Sequence, residues 1–124
     1  MPEYDPAALI ARIEEARDEQ YIDDTFDILC EIVEALNTEG VPSASAILQR
    51  ARDRLETGRR MKYHDNDYVE KVLPDLMLAY QFMGGRSESV WERVRHMIWD
   101  ERHTAALNEF TYLLEFDLWA QVPQ

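Results

Sequence analysis

From Pro6 to Trp119 the apolar residues of this chain recur three and four positions apart, and no stretch alternates with polar residues long enough to make a strand. A chain with that single period buries its side chains by packing helix against helix. Asp5-Pro6 reads as the first helix start, a carboxylate able to cap free amides followed by a residue pre-set for the first helical turn. Leu9, Ile13 and Ala16 follow at helical spacing, and the pattern fades near Gln20. A second start at Asp23-Asp24-Thr25 leads into Phe26, Leu29, Ile32 or Val33, and Leu36, with Gly40 as the stop. Pro42-Ser43 opens a third helix carrying Ala44, Ile47, Leu48, Ala51 and Leu55, which Gly58 is expected to end.

Residues 59–67 are polar, and Asp65-Asn66-Asp67 supplies turn and cap chemistry ahead of a fourth helix through Tyr68, Val69, Val72 and Leu73. Pro74 removes an amide and predicts a kink or restart, after which Leu76, Met77, Tyr80 and Met83 continue the stripe to Gly84-Gly85. Ser89 and Glu92 have capping-box spacing before Val90, Val94, Met97 and Ile98. Between Ser87 and Ala120 there is neither glycine nor proline, but the stripe loses phase at Glu101. That predicts a break near His103-Thr104 and a last helix carrying Leu107, Phe110, Leu114 and Leu118. The expectation is a compact all-α bundle of five or six antiparallel helices in a single domain over 1–124, with three stacked helical hairpins as a variant. At 124 residues, 46% of them hydrophobic, the chain has enough apolar material for a core without staples.

Charge is the second constraint, and it is unevenly placed. Residues 1–40 carry twelve acids against Arg12 and Arg17, residues 41–62 carry six basic groups against two acids, and the net charge of the whole is −12. Such a surface repels nucleic acid and anionic membrane and attracts basic proteins. Cys30, the sole cysteine, sits among Ile28, Leu29, Ile32 and Val33 and reads as a small buried hydrophobe in a reducing compartment. No apolar run approaches the ~18 residues of a membrane span, and Met1 to Asp5 lacks the basic and apolar regions of a secretory leader, so the cytoplasm is the expected location.

Asp24, Asp27, Glu31 and Glu34 fall on one face of the second helix, with Asp23 at its entry and no Lys or Arg interleaved. These five acids are the predicted partner-binding face, and the partner they imply is a basic protein. The basic segment Arg50, Arg52, Arg54, Arg59, Arg60 and Lys62 has no interleaved aromatic for base stacking, so internal pairing with the acidic helices is its expected use and direct nucleic-acid binding is not. His96, Asp100 and His103, with Glu92 a turn earlier, could line one side of a helix, but a dinuclear carboxylate site needs Glu-x-x-His on two helices. No catalytic residue, metal or cofactor is assigned. Trp91, Trp99, Phe110, Tyr112, Phe116 and Trp119 make the last third aromatic, which suits a central, widely buried helix or, alternatively, an exposed strip for homodimerisation or for a partner. The function that follows is an acidic, non-enzymatic binding module, an inhibitor or immunity-type antagonist of a basic partner. The alternatives are a structural or regulatory subunit using the C-terminal helix, and a small helical metal-binding protein or enzyme centred on His96, Asp100 and His103.

Overall fold

A computed structural model describes residues 4–85 and 88–123, and every regular element in them is an α-helix. The elements are α1 (Pro6–Asp18), α2 (Ile22–Leu36), α3 (Pro42–Met61), α4 (Asp65–Phe82), α5 (Glu88–Trp99) and α6 (His103–Trp119). Each helix packs on the next, and contact between α1 and α6 closes the circuit. The most extensive pairings are α3–α4, α5–α6 and α1–α2, so three hairpins are present, but the α1–α6 contact closes them into one bundle rather than an open stack. α4 also touches α2 and α6, which makes it the central helix.

Local chemistry explains most boundaries. The Asp5 carboxylate accepts from the Ala7 amide at 3.1 Å and Pro6 opens α1, as the sequence implies. Gly84, at φ +88, follows α4 where the chain must turn left-handed. α5 and α6 separate at the predicted place. Glu101 takes φ 62, its amide bonds Ile98 O at 3.0 Å, and the Arg102 amide bonds Met97 O at 2.7 Å, a Schellman closure.

Three expectations need correction. Gly58 does not end α3; it lies buried inside it, where a Cβ would stand 2.6 Å from Tyr68 Cε1 and 2.8 Å from Tyr63 Cδ2. The glycine is there for close approach of two rings, and Lys62, at φ 55, makes the actual stop. Of the kink or restart expected at Pro74, the restart does not occur: α4 runs through the proline as one element. Ser89 lies inside α5, which begins at Glu88, so it does not cap the helix, and Arg86 and Ser87 lie outside the described residues, as do residues 1–3 of the predicted leader-free start.

The core is a single cluster drawn from all six helices, with Phe26, Leu29, Leu55, Leu73, Leu76, Phe110 and Leu114 fully enclosed. Among the described residues no helix is long and apolar enough to cross a membrane. Cys30 lies in this core, where burial pushes its thiol up to about 12. α6 departs from the expectation of a widely buried helix. Its inner face holds Ala106, Phe110, Leu114 and Leu118, while Tyr112, Phe116 and Trp119 stand 57%, 65% and 55% exposed along its outer face.

Candidate binding cleft at the acidic end of the bundle

The packing of α2 against α1 and α3 decides what becomes of the predicted acidic face. Arg59 on α3 reaches Asp23 at 2.7 Å and Asp24 at 3.2 Å, and also pairs with Asp27. Arg12 on α1 bridges Glu31 and Glu15. Arg52 holds Glu34 through two bonds of 2.6 and 2.9 Å. The hydrogen bond from Arg59, ahead of opposing burial, holds the Asp23 carboxyl below the ordinary carboxylate range. All five stripe acids thus face arginines of their own chain. The compensating cations, absent from the helix itself, come from its neighbours.

Two more arginines of the basic segment are spent in the same way. Arg50 and Arg54, one turn apart, both grip Asp75 of α4, at 2.8 and 3.0 Å, and Asp75 is only 2% exposed. A buried carboxylate held by two arginines ties α3 to α4, whereas Arg60 and Lys62 remain on the exposed surface.

The histidines do not assemble. His96 is exposed on α5, Asp100 falls in the turn, and His103 turns inward at the first position of α6. Among the described residues no three His, Cys, Asp or Glu side chains are grouped to hold a metal ion. His103 instead bonds Glu70 of α4, Nε2 to Oε1, at 2.8 Å. A carboxylate can only accept, so in the neutral ring the proton lies on Nε2 and Nδ1 presents a lone pair. That Nδ1 is buried and has no hydrogen-bond partner.

His103 lines a cleft of about 360 Å³ where α1 ends and α2, α4 and α6 begin. Ile22, Val69 and Leu107 give it apolar wall, and Asn66, Thr104 and Asn108 give it neutral polar groups. Its charged members are Arg17, Glu19 and Asp65. Arg17 is committed, paired with Glu115 and stacked 4.8 Å from the Tyr112 ring centre. Glu19 and Asp65 have no ion pair among the described residues, and the same holds for Glu14 and Asp18 on α1. The buried hydroxyls nearby are satisfied: Thr25 donates to the Ala16 and Tyr21 carbonyls and Thr111 to that of Asn108. His103 Nδ1 is left as an enclosed polar atom with no hydrogen-bond partner among the described residues.

Sequence reasoning placed His103 in the wrong company and passed over Glu70, Asn66 and Asn108. Glu70 and His103 lie 33 residues apart and on different helices, so no local spacing announces the pair. No family model matches the chain, and neither a curated protein nor a solved structure matches it.

Proposed function

We propose that the protein is an acidic protein-binding module, an inhibitor or immunity-type antagonist that occludes a basic, nucleic-acid-binding surface of another protein. The observation that carries this reading is the division among its acids. Asp23, Asp24, Asp27, Glu31 and Glu34 are held by internal arginines, while Glu14, Asp18, Glu19 and Asp65 meet no cation in the described chain. The free acids, more than the paired stripe, are available to steer and hold a basic partner, and unneutralised charge acts on encounter most strongly. Antagonism of this kind requires no catalytic group; the partner is blocked by coverage. The test is affinity capture from the native host with native protein and with a Glu14→Lys, Asp18→Lys, Glu19→Lys variant. A basic protein retained by the native form and lost by the variant is expected. Equal retention by both forms, or capture of acidic proteins alone, overturns the reading.

A second reading has its own observation, the exposed row Tyr112, Phe116 and Trp119. Arg93–Glu109 on one side and Arg17–Glu115 on the other leave the flanks of that row close to neutral. Such a strip suits a subunit that joins a larger assembly, or its own copy, through α6. Light scattering decides it: a dimer that Phe116→Ser with Trp119→Ser converts to monomer supports a subunit, and a native monomer refutes self-association.

A further inference from the structure

The outer face of α6 carries two features side by side. One is the row Tyr112, Phe116 and Trp119, exposed at 57%, 65% and 55%. The other is a groove of about 380 Å³ between α5 and α6, lined by Val90 and Leu113, bordered by Ser89, Arg93 and Glu109, and walled on its near side by Tyr112 and Phe116. An exposed aromatic row beside a groove is self-complementary. A twofold axis along the line between them seats each row in the groove of the other copy.

Charge decides which occupant suits this face. The chain carries −12, yet the described ionic groups here close on one another. Arg93 pairs with Glu109 at 3.3 Å and Arg17 pairs with Glu115. Among the described residues, the groove therefore offers a strongly basic or acidic protein no unpaired charge to hold, and a second copy can approach where local charges cancel. Area sets the strength. At those exposures, three rings of about 200 Å² each bring about 350 Å² per copy to a contact. The stems of Arg93 and Glu109 raise that to about 500 Å², against the ~800 Å² that each side of a standard interface supplies. Such a contact supports a weak dimer and is too small for a permanent one.

We propose that the protein forms a weak isologous homodimer in which the Tyr112, Phe116 and Trp119 row of each copy lies in the α5–α6 groove of the other. Phe116 of one copy then packs on Val90 and Leu113 of the partner subunit. The proposal rests on the second reading above, that α6 joins the chain to its own copy, and adds where the row is received. Two chains of charge −12 repel, so salt that screens them tightens the dimer, whereas salt weakens a complex with a basic protein.

Sedimentation velocity of the full chain at micromolar to millimolar concentration, in 50 mM and 500 mM salt, reads the equilibrium. The association constant should rise at least threefold at the higher salt. It should fall at least tenfold in Phe116→Ser and, separately, in Ser89→Arg, which obstructs the groove without altering the row. Both positions are exposed, and unchanged helical spectra verify that the variants fold. In an equal mixture of carbon-13-labelled and unlabelled chains, isotope-filtered NOEs should join the Phe116 ring to the Val90 and Leu113 methyls across the two copies. A dimer that Phe116→Ser breaks but Ser89→Arg leaves intact, or that lacks those NOEs, overturns the seating in the groove and leaves the subunit reading standing. A dimer that salt weakens, or that survives Phe116→Ser, overturns the proposal as well. A monomer at every concentration and both salts overturns the proposal and self-association together. If the Phe116→Ser form of that monomer also loses a protein captured from the host, the row belongs to a different partner.

Discussion

Reversing Asp27, Glu31 and Glu34 together to lysine distinguishes a docking face from an internal clamp. Were the stripe merely solvated, the change would leave stability alone or relieve like-charge repulsion along α2. The structure instead sets three lysines against Arg59, Arg12 and Arg52. Two unit charges 4 Å apart interact by about 1 kcal/mol in water and about 4 kcal/mol at an effective dielectric near 20. These carboxylates are 35%, 54% and 44% exposed, which favours the lower figure and the ~0.2–1 kcal/mol measured for exposed pairs. Arg59 keeps Asp23 and Asp24, and Arg12 keeps Glu15, so those two losses are small. Among the described residues Arg52 has Glu34 alone, held through two of its nitrogens, and that loss is the largest. Lost attraction of about 1–2 kcal/mol with repulsion of similar size gives about 2–4 kcal/mol in all. Urea unfolding at 50 mM and 500 mM salt reads it, with Asp27→Asn, Glu31→Gln, Glu34→Gln as the neutral control. The reversed protein should lose that much at low salt, the control about half as much, and high salt should remove most of both, since the Debye length shrinks to a few ångströms. Acid should act in the same direction. Asp23 has a lowered folded-state pKa, so its stabilisation is present above the ordinary carboxylate value of 3.8 and is lost as pH falls through the folded value. Equal stability of all three proteins at both salts would refute the clamp.

Asp75→Asn keeps the shape of the side chain but removes the charge between Arg50 and Arg54; about 2–3 kcal/mol should be lost by urea unfolding, less than for a fully buried pair because both arginines reach water. Gly58→Ala should destabilise by about 1–2 kcal/mol in thermal unfolding, since the displaced Tyr68 and Tyr63 rings outweigh the gain in helix propensity. Cys30 should react with an aromatic disulfide reagent at the rate of unfolding rather than of thiol chemistry, because the core encloses its sulfur and burial also raises its pKa; rapid native-state labelling would contradict its place in the core.

What was legible in the sequence was local. Asp5-Pro6, Pro42, Gly84 and the loss of phase at Glu101 each act within a turn of themselves, and each lies at or beside a boundary in the structure. The stripes of α2, α3 and α4 were readable for the same reason, because burial on one helix face imposes its period on the chain. What failed was relational. Gly58 has the composition of a stop, but its role is set by two tyrosines on the chain that folds back over it. Lys62 and Glu101 take left-handed turns with no glycine to announce them. The acidic stripe looked uncompensated because its arginines lie 18 to 36 residues away, on α1 and α3. By composition Tyr112, Phe116 and Trp119 suited either a core or an exposed strip, and only the packing of α6 against α1, α4 and α5 turns them outward.

The central claim is that acids left free of internal arginines among the described residues, Glu14, Asp18 and Glu19 of the first helix and its end among them, engage a basic partner. It is tested most directly by association kinetics against the captured partner at two ionic strengths, comparing native protein with the Glu14→Lys, Asp18→Lys, Glu19→Lys variant. Charges that steer encounter change the on-rate and its salt dependence together. The account predicts that the reversal slows association at least tenfold at low salt and flattens the salt dependence. An on-rate unchanged by the reversal at both salts would contradict it.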